Sequence, residues 1–258
     1  MTCAIMQPTF LPWLGYFDLI DQVNHFVFLD NVQLVKRSWQ IRNRIKMQDS
    51  ELFLTIPIIK EMHRNETFIN KATMFHGKDW KNSHLKSIEH SYKKSAYFDS
   101  VFPFVLNQYE NETDSLADFT INFICEISNK IGIHTSFLKA SELPCIGGRK
   151  DVLLSSICKS IGCNQYLSPK GSAIYIESNS PGGELKRNDI NLYYQHYEHP
   201  EYEQLNHPFT PNMCLLDLLF NKGFDNALNV LRSGRRMPYF YTAYRSQFMP
   251  SIQILKCA

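Results

Sequence analysis

Two short apolar blocks open the chain, Thr2–Met6 and His25–Asp30, each of strand length and without the spacing of a helix. Between them lie a Pro-rich loop, "QPTFLPWL", and a run from Gly15 to Asp21. Tyr16, Leu19 and Ile20 in that run share one helical stripe. Strand, short helix and strand within about thirty residues is the rhythm of a parallel sheet. The loop after the first strand then lies at the carboxyl edge, where open α/β sheets bind ligands.

The period changes to two after Ser38. Gln40, Arg42, Arg44 and Lys46 alternate with Trp39, Ile41, Asn43, Ile45 and Met47, turn residues follow, and then "ELFLTIPII". This predicts a β-hairpin whose first strand carries three cations on one face. From about residue 77 to 132 the period is helical. Leu85, Ile88 and Tyr92 mark one helix. Tyr97–Glu110 predicts a second, interrupted at Pro103. Ser115–Ile131 predicts a third, stopped by Gly132. This stretch reads as a helical insertion or layer on one side of the sheet. Sheet patterning returns with "HTSFLKAS". A "CIGGRK" loop, a helix Asp151–Ile161, and the strands "NQYLS" and "INLYYQHY" follow. A short helix Cys214–Gly223 and a last one Phe224–Leu231 come next, and the Tyr- and Pro-rich segment after Arg236 matches no element. The expected fold is therefore a single α/β domain over residues 1–258. It has a parallel-sheet, Rossmann-like core, a hairpin and a helical insertion.

Composition narrows the functions. With 44% apolar and 20% charged residues the chain supports a sizeable core. A formal net charge of +2 argues against a general nucleic-acid binder, so basic chemistry must be local. Seven cysteines, an odd number without Cys-x-x-Cys, point to a reducing compartment. No basic and apolar leader opens the chain, and no apolar run reaches about 18 residues. Cytoplasmic location without membrane insertion is expected. The sequons at Asn65 and Asn111 carry no meaning there.

The local basic chemistry is conspicuous, because five Lys and Arg fall between Lys36 and Lys46. Lys36, Arg37, Arg42 and Arg44 suit a polyanionic ligand such as a diphosphate, and Trp39 suits stacking on a sugar or base. An exposed edge strand also carries cations, to prevent strand pairing. Asp30, with Asn31, ends a strand where a ligand would lie, and also where turn residues cap strands. His199 and His196 are the candidate general bases, His199 in a loop just after a strand. Arg149 and Lys150 follow a Gly pair but make no phosphate-loop sequence. Asp217 and Asn221 share one helix face, either for a ligand or for a structural bond. No metal-ligand spacing appears.

The motifs "IMQPTFLPWLGYFDLI", "FLDNVQLVKRSWQIRNRIK", "YLSPKGSAIYI", "HPEYEQL" and "FTPNMCLLDLLFNKG" together resemble the WbqC-like protein family, over residues 1 to about 225. The family's pattern falls on Gln7, Pro8, Gly15, Tyr16, Asp30, Lys36, Arg37, Trp39, Arg42, Asn43, His199, Pro200, Asp217 and Asn221. The resemblance implies work on bacterial O-antigen or other surface polysaccharide, and a transfer of glycine or another acyl group to the amine of an amino sugar. The expected partners are then a dTDP- or UDP-linked sugar and a thioester donor, on coenzyme A or an acyl carrier protein, as co-substrate. No tightly bound cofactor is expected, and a homodimer stays open. Catalysis is expected from His199, His196 or Asp30, and binding from Gln7, Tyr16, Lys36, Arg37, Trp39, Arg42, Asn43, Arg44, Asp217 and Asn221. A weaker similarity links the first strand–loop–helix to nucleotidylyltransferase-like domains. Where those carry His-x-Gly-His, this chain reads Trp13-Leu14-Gly15-Tyr16, without either His. An altered nucleotidylyltransferase and a non-catalytic sugar-nucleotide binder are the alternatives.

Overall fold

The computed structural model describes residues 1–48, 50–59, 67–77 and 79–249. Asn65 of the first sequon and Cys257 lie outside the described residues. The chain begins with β1 (Thr2–Met6), α1 (Leu14–Asp21), β2 (His25–Phe28) and the hairpin β3 (Arg42–Lys46) and β4 (Glu51–Thr55). Three helices follow, α2 (Trp80–Tyr92), α3 (Phe98–Tyr109) and α4 (Leu116–Lys130). Then come β5 (Ser136–Lys139), α5 (Asp151–Ser160), β6 (Gln165–Ser168), α6 (Ala173–Ile176), α7 (Gly183–Arg187) and β7 (Asn191–Tyr197). The chain closes with α8 (Leu215–Ser233), β8 (Arg235–Phe240) and α9 (Tyr241–Phe248).

The main sheet has the order β5-β2-β1-β6-β7-β8. The first five strands are parallel, and β8 runs antiparallel to β7. This is a Rossmann-like α/β core. Alternation along the strands builds two apolar layers. Ala4, Phe26, Phe28 and Leu167 face one side, where α1, the helices α2 to α4 and α8 pack. Cys3, Ile5, Val27, Tyr166 and Leu192 face the other, beneath α5, α7 and α9. The hairpin joins the first layer through Ile45 and Leu54.

Local chemistry sets the element ends. Ser115 caps α4 by accepting the Asp118 N–H at 3.2 Å, a contact worth about 1 kcal/mol. α3 runs through Pro103 rather than breaking there. The proline forfeits one N–H bond, while Val101, Val105 and Tyr109 stay buried together on the same face. The two expected helices near the end meet at Gly223, whose φ of +75° kinks α8. A Cβ there would lie 2.6 Å from the Tyr97 ring. The tail after Arg236, unassigned from the sequence, supplies most of β8 and all of α9. Pro238 and the arginines hide the strand pattern, and an edge strand tolerates that proline. Buried Glu177 fixes the tail by pairing with Arg245 at 2.9 Å and accepting the Tyr194 hydroxyl at 2.8 Å.

Candidate functional site

From β1 the chain proceeds to β2 and β5 on one side of the sheet and to β6 and β7 on the other. The carboxyl end of β1 therefore stands at a topological switch point, where such sheets form a crevice. A cavity of 290 Å³ opens beside it. Met6 ends the strand, Thr9, Pro12 and Trp13 come from the following loop, and Tyr16 from α1. The hairpin side contributes Trp39, Asn43 and Arg44, and Asn212 closes the wall.

The loop is held in an unusual shape. Leu11 has φ of +46°, a conformation that costs a bulky residue about 1–3 kcal/mol. Buried Asn43 holds it there, because its Nδ2 donates to the Phe10 carbonyl at 3.2 Å and the Leu11 carbonyl at 2.7 Å. Tyr16 donates its hydroxyl to the Gln7 carbonyl at 3.0 Å. Gln7 does not line the cavity. Its Oε1 accepts from Gln40 Nε2 at 2.8 Å, and Gln40 also accepts the Val35 N–H at 2.8 Å. Gln40, expected on the polar face of a strand, is thus buried before the strand begins and braces the 33–38 turn.

Trp13 passes over Gly15 so closely that a Cβ would lie 2.3 Å from the indole. Its ring stacks on His199 with centroids 6.2 Å apart and planes 12° from parallel. His199 Nδ1 is 3.0 Å from the Pro200 carbonyl, which can only accept. That assigns the hydrogen to Nδ1 and leaves the lone pair on Nε2. Nε2 is buried and without a partner among the described residues. Burial pulls the His199 pKa below its ordinary value, which favours the neutral ring.

The five expected cations do not act together. Arg44 reaches the cavity, with Nη1 paired to Glu51 at 2.6 Å and Nε buried without a partner among the described residues. Arg42 lies 4.8 Å over the Phe53 ring, which Trp39 also stacks against at 6.2 Å. Lys36 and Arg37 are exposed, two to three residues before Trp39, itself 52% exposed. Lys46, the third cation of the row, turns inward. Its Nζ donates to Gln204 Oε1 at 2.8 Å and to the carbonyls of Asn206 and Pro208.

Four other expected residues belong elsewhere. Asp217 is buried and accepts from Tyr92 at 3.0 Å, Tyr202 at 2.8 Å and Gln204 at 2.8 Å. Burial raises its pKa, while these bonds and Lys46 oppose the rise. Asn221 donates to the Asp217 carbonyl at 2.7 Å and accepts the Leu205 N–H at 2.8 Å. The pair joins the 199–210 loop to α8 and presents nothing to the cavity. Asp30 accepts both the N–H and the hydroxyl of Ser141, at 2.9 and 2.6 Å. It borders a separate opening of 510 Å³, with Lys71 and Lys139, at the ends of β2 and β5. His196 stacks on Tyr239 at 4.7 Å and lies 3.5 Å from Glu198, outside the cavity.

Trp13, Thr9 and Asn212 line the cavity although the sequence reading did not select them. A Trp inside the Pro-rich loop after a first strand was the available signal for Trp13. Lys46 was hidden by its place in an alternating row. Among the described residues, no group of three or more His, Cys, Asp or Glu could hold a metal ion. No helix among them is long and apolar enough to cross a membrane.

The chain matches the WbqC-like protein family over residues 7–228, which takes in all of the cavity wall except Met6. It is 28% identical over 225 residues to Rv1507c of Mycobacterium tuberculosis, an uncharacterized protein. That alignment spans 85% of this chain and 93% of the relative. No solved structure matches the chain.

Proposed function

The chain belongs to the WbqC-like protein family, and from that premise we propose that it acylates the amine of a nucleotide-linked amino sugar destined for surface polysaccharide. The observation that carries this reading is the cavity at the switch point, walled by Trp13, Tyr16 and Trp39 and edged by Arg44 and Asn43. Flat rings with a few polar groups suit a sugar ring or base. At 290 Å³ it takes one ring system, and the rest of a sugar nucleotide lies along the rim. Lys36 and Arg37, on the turn beside Trp39, then meet the diphosphate.

The acyl donor is a thioester of coenzyme A or of a carrier protein, bound as a second substrate. The amine nitrogen attacks the thioester carbonyl carbon, and the carbon–sulfur bond breaks. The amine's proton passes to His199 Nε2, and the departing thiolate takes it up. His199 is suited to this because it is neutral with a free lone pair. It stands behind Trp13, so that ring must turn aside for substrate to reach it. Positioning of the two substrates supplies about 7 kcal/mol or more of barrier lowering.

Calorimetric titration with UDP- and dTDP-linked amino sugars tests the binding half. At a hundred times Kd such a ligand stabilises the fold by about 2.7 kcal/mol. Mass spectrometry of the sugar after incubation with an acyl thioester tests the chemistry, and His199→Gln should abolish the acylated product while retaining binding. Binding without any product would leave a sugar-nucleotide carrier. Absence of binding by every sugar nucleotide would remove the proposal.

A further inference from the structure

A second cleft, of 470 Å³, lies between the end of α2 and the exit of β3. We propose that it is a binding site for a phosphate-bearing ligand, separate from the cavity between Trp13 and Trp39. His90, Ser91, Lys93 and Lys94 form one wall, Gln48 stands at the hairpin, and Asn206 comes from the loop before α8.

Among the described residues the charge of this cleft is one-sided. His90, Lys93 and Lys94 are exposed, with no side-chain hydrogen bond or ion pair among the described residues. No Asp or Glu lines the cleft among the described residues. The half-buried Lys139 and Lys222, by contrast, are matched, by Asp118 at 2.8 Å and Glu203 at 3.2 Å. Lysines after a helix also offset its negative end. That purpose explains Lys93 and Lys94 but requires nothing of Ser91 or Gln48.

Ser91 is the independent observation. It is 7% exposed, and its hydroxyl has no partner among the described residues. Ser87, Ser128 and Thr120, also on helices, donate to the carbonyl four residues back at 2.8, 2.8 and 2.9 Å. Ser91 leaves that bond unmade, and a buried hydroxyl without a partner costs about 1–3 kcal/mol. A phosphate oxygen in the cleft supplies the missing acceptor. Two of the four carbonyls at the end of α2 are engaged: Glu89 accepts the Lys93 N–H at 2.8 Å, and Tyr92 accepts from Ser95 N and Oγ at 2.8 and 2.7 Å. The far wall is fixed as well, since buried Lys46 holds the Asn206 carbonyl. Lys offers a mobile point charge, and Gln48 and Asn206 offer amide donors, a set that fits a phosphate ester.

A nucleotide diphosphate and the phosphates of coenzyme A share this chemistry. Arg44 of the cavity and Gln48 of the cleft are four residues apart, so their backbones lie within about 14 Å. The inference stands without the acyl-transfer reading, because it concerns a different opening.

The test is calorimetric titration of the full chain with inorganic pyrophosphate, UDP and coenzyme A. At least one should bind, and the tightest identifies the source of the phosphate. The double variant Lys93→Ala/Lys94→Ala should weaken that binding tenfold or more, and Ser91→Ala about threefold. Trp39→Ala should leave pyrophosphate binding unchanged. Because the lysines are exposed and serve the fold only by offsetting the helix end, the double variant should melt within a few degrees of the wild type. No binding of any of the three at millimolar concentration overturns the proposal. So does binding that the double variant leaves intact.

Discussion

Around Asp217 the buried polar groups are bonded to one another, whereas around Trp13 some are left over. Asp217, Gln204 and Lys46 share bonds with Tyr92, Tyr202 and three backbone carbonyls. Beside the cavity, Arg44 Nε and His199 Nε2 have no partner among the described residues. Both regions draw on the same strand and loop, so the contrast is not one of composition. A buried polar atom without a partner costs free energy. Water or a bound group ordinarily completes such an atom. The packed region specifies how the 199–210 loop sits on α8, and the incomplete region is where the proposed acylation is placed.

The largest test of this contrast is Asp217→Ala. It leaves the Tyr92 and Tyr202 hydroxyls buried without the acceptor they share with Gln204 Nε2, and should cost about 3–5 kcal/mol in denaturant unfolding. A loss below about 1 kcal/mol would show that the network is peripheral. Next comes acid. His84, 6% exposed and 3.2 Å from the Tyr109 hydroxyl, is held by burial at a pKa of about 4. Its folded pKa lies below the unfolded value, so its share of stability is full above about pH 6.5 and is lost as pH falls toward 4. That share is about 3 kcal/mol. Asp217, with a raised pKa, titrates in the opposite sense, so the measurement is the difference between wild type and His84→Phe across that window. Equal pH slopes in the two proteins would reject the assignment.

Smaller effects probe the cavity. Gly15→Ala pushes the Trp13 ring off His199. Helix propensity favours alanine by about 1 kcal/mol and crowding opposes it by about 1–3 kcal/mol, so a net loss near 1 kcal/mol is expected. Indole fluorescence should shift and sugar-nucleotide affinity should fall. An unchanged spectrum would mean that the ring is not displaced. Trp39→Ala should move stability by no more than about 0.5 kcal/mol, since the ring is 52% exposed. Its affinity for a sugar nucleotide should fall about tenfold, in line with a lost stack. The opposite result, with large destabilisation and intact binding, would make Trp39 part of the packing.

The sheet was legible where short apolar runs alternated with helical stripes, as in β1, α1 and β2. The hairpin was legible from its period of two. What the sequence withheld depends on distant partners. Lys46 reads like Arg44 until Gln204, 158 residues away, closes over it. Asp217 and Asn221 share a face as expected, but only the fold shows that this face meets tyrosines and a loop. Asp30 ends its strand as expected, yet Ser141, 111 residues on, takes both its oxygens. The tail failed for a different reason, because an edge strand need not alternate.

β8 also bears on how the chain behaves when crowded. As the last strand of the sheet it would offer a free row of amides to a neighbour. Pro238 removes one of those amides, and Arg236, paired with Glu198 at 2.8 Å, sets charged groups along the border. The opposite border, β5, is four residues long. Neither side templates a growing fibril, so concentrated solutions should stay clear of cross-β deposits.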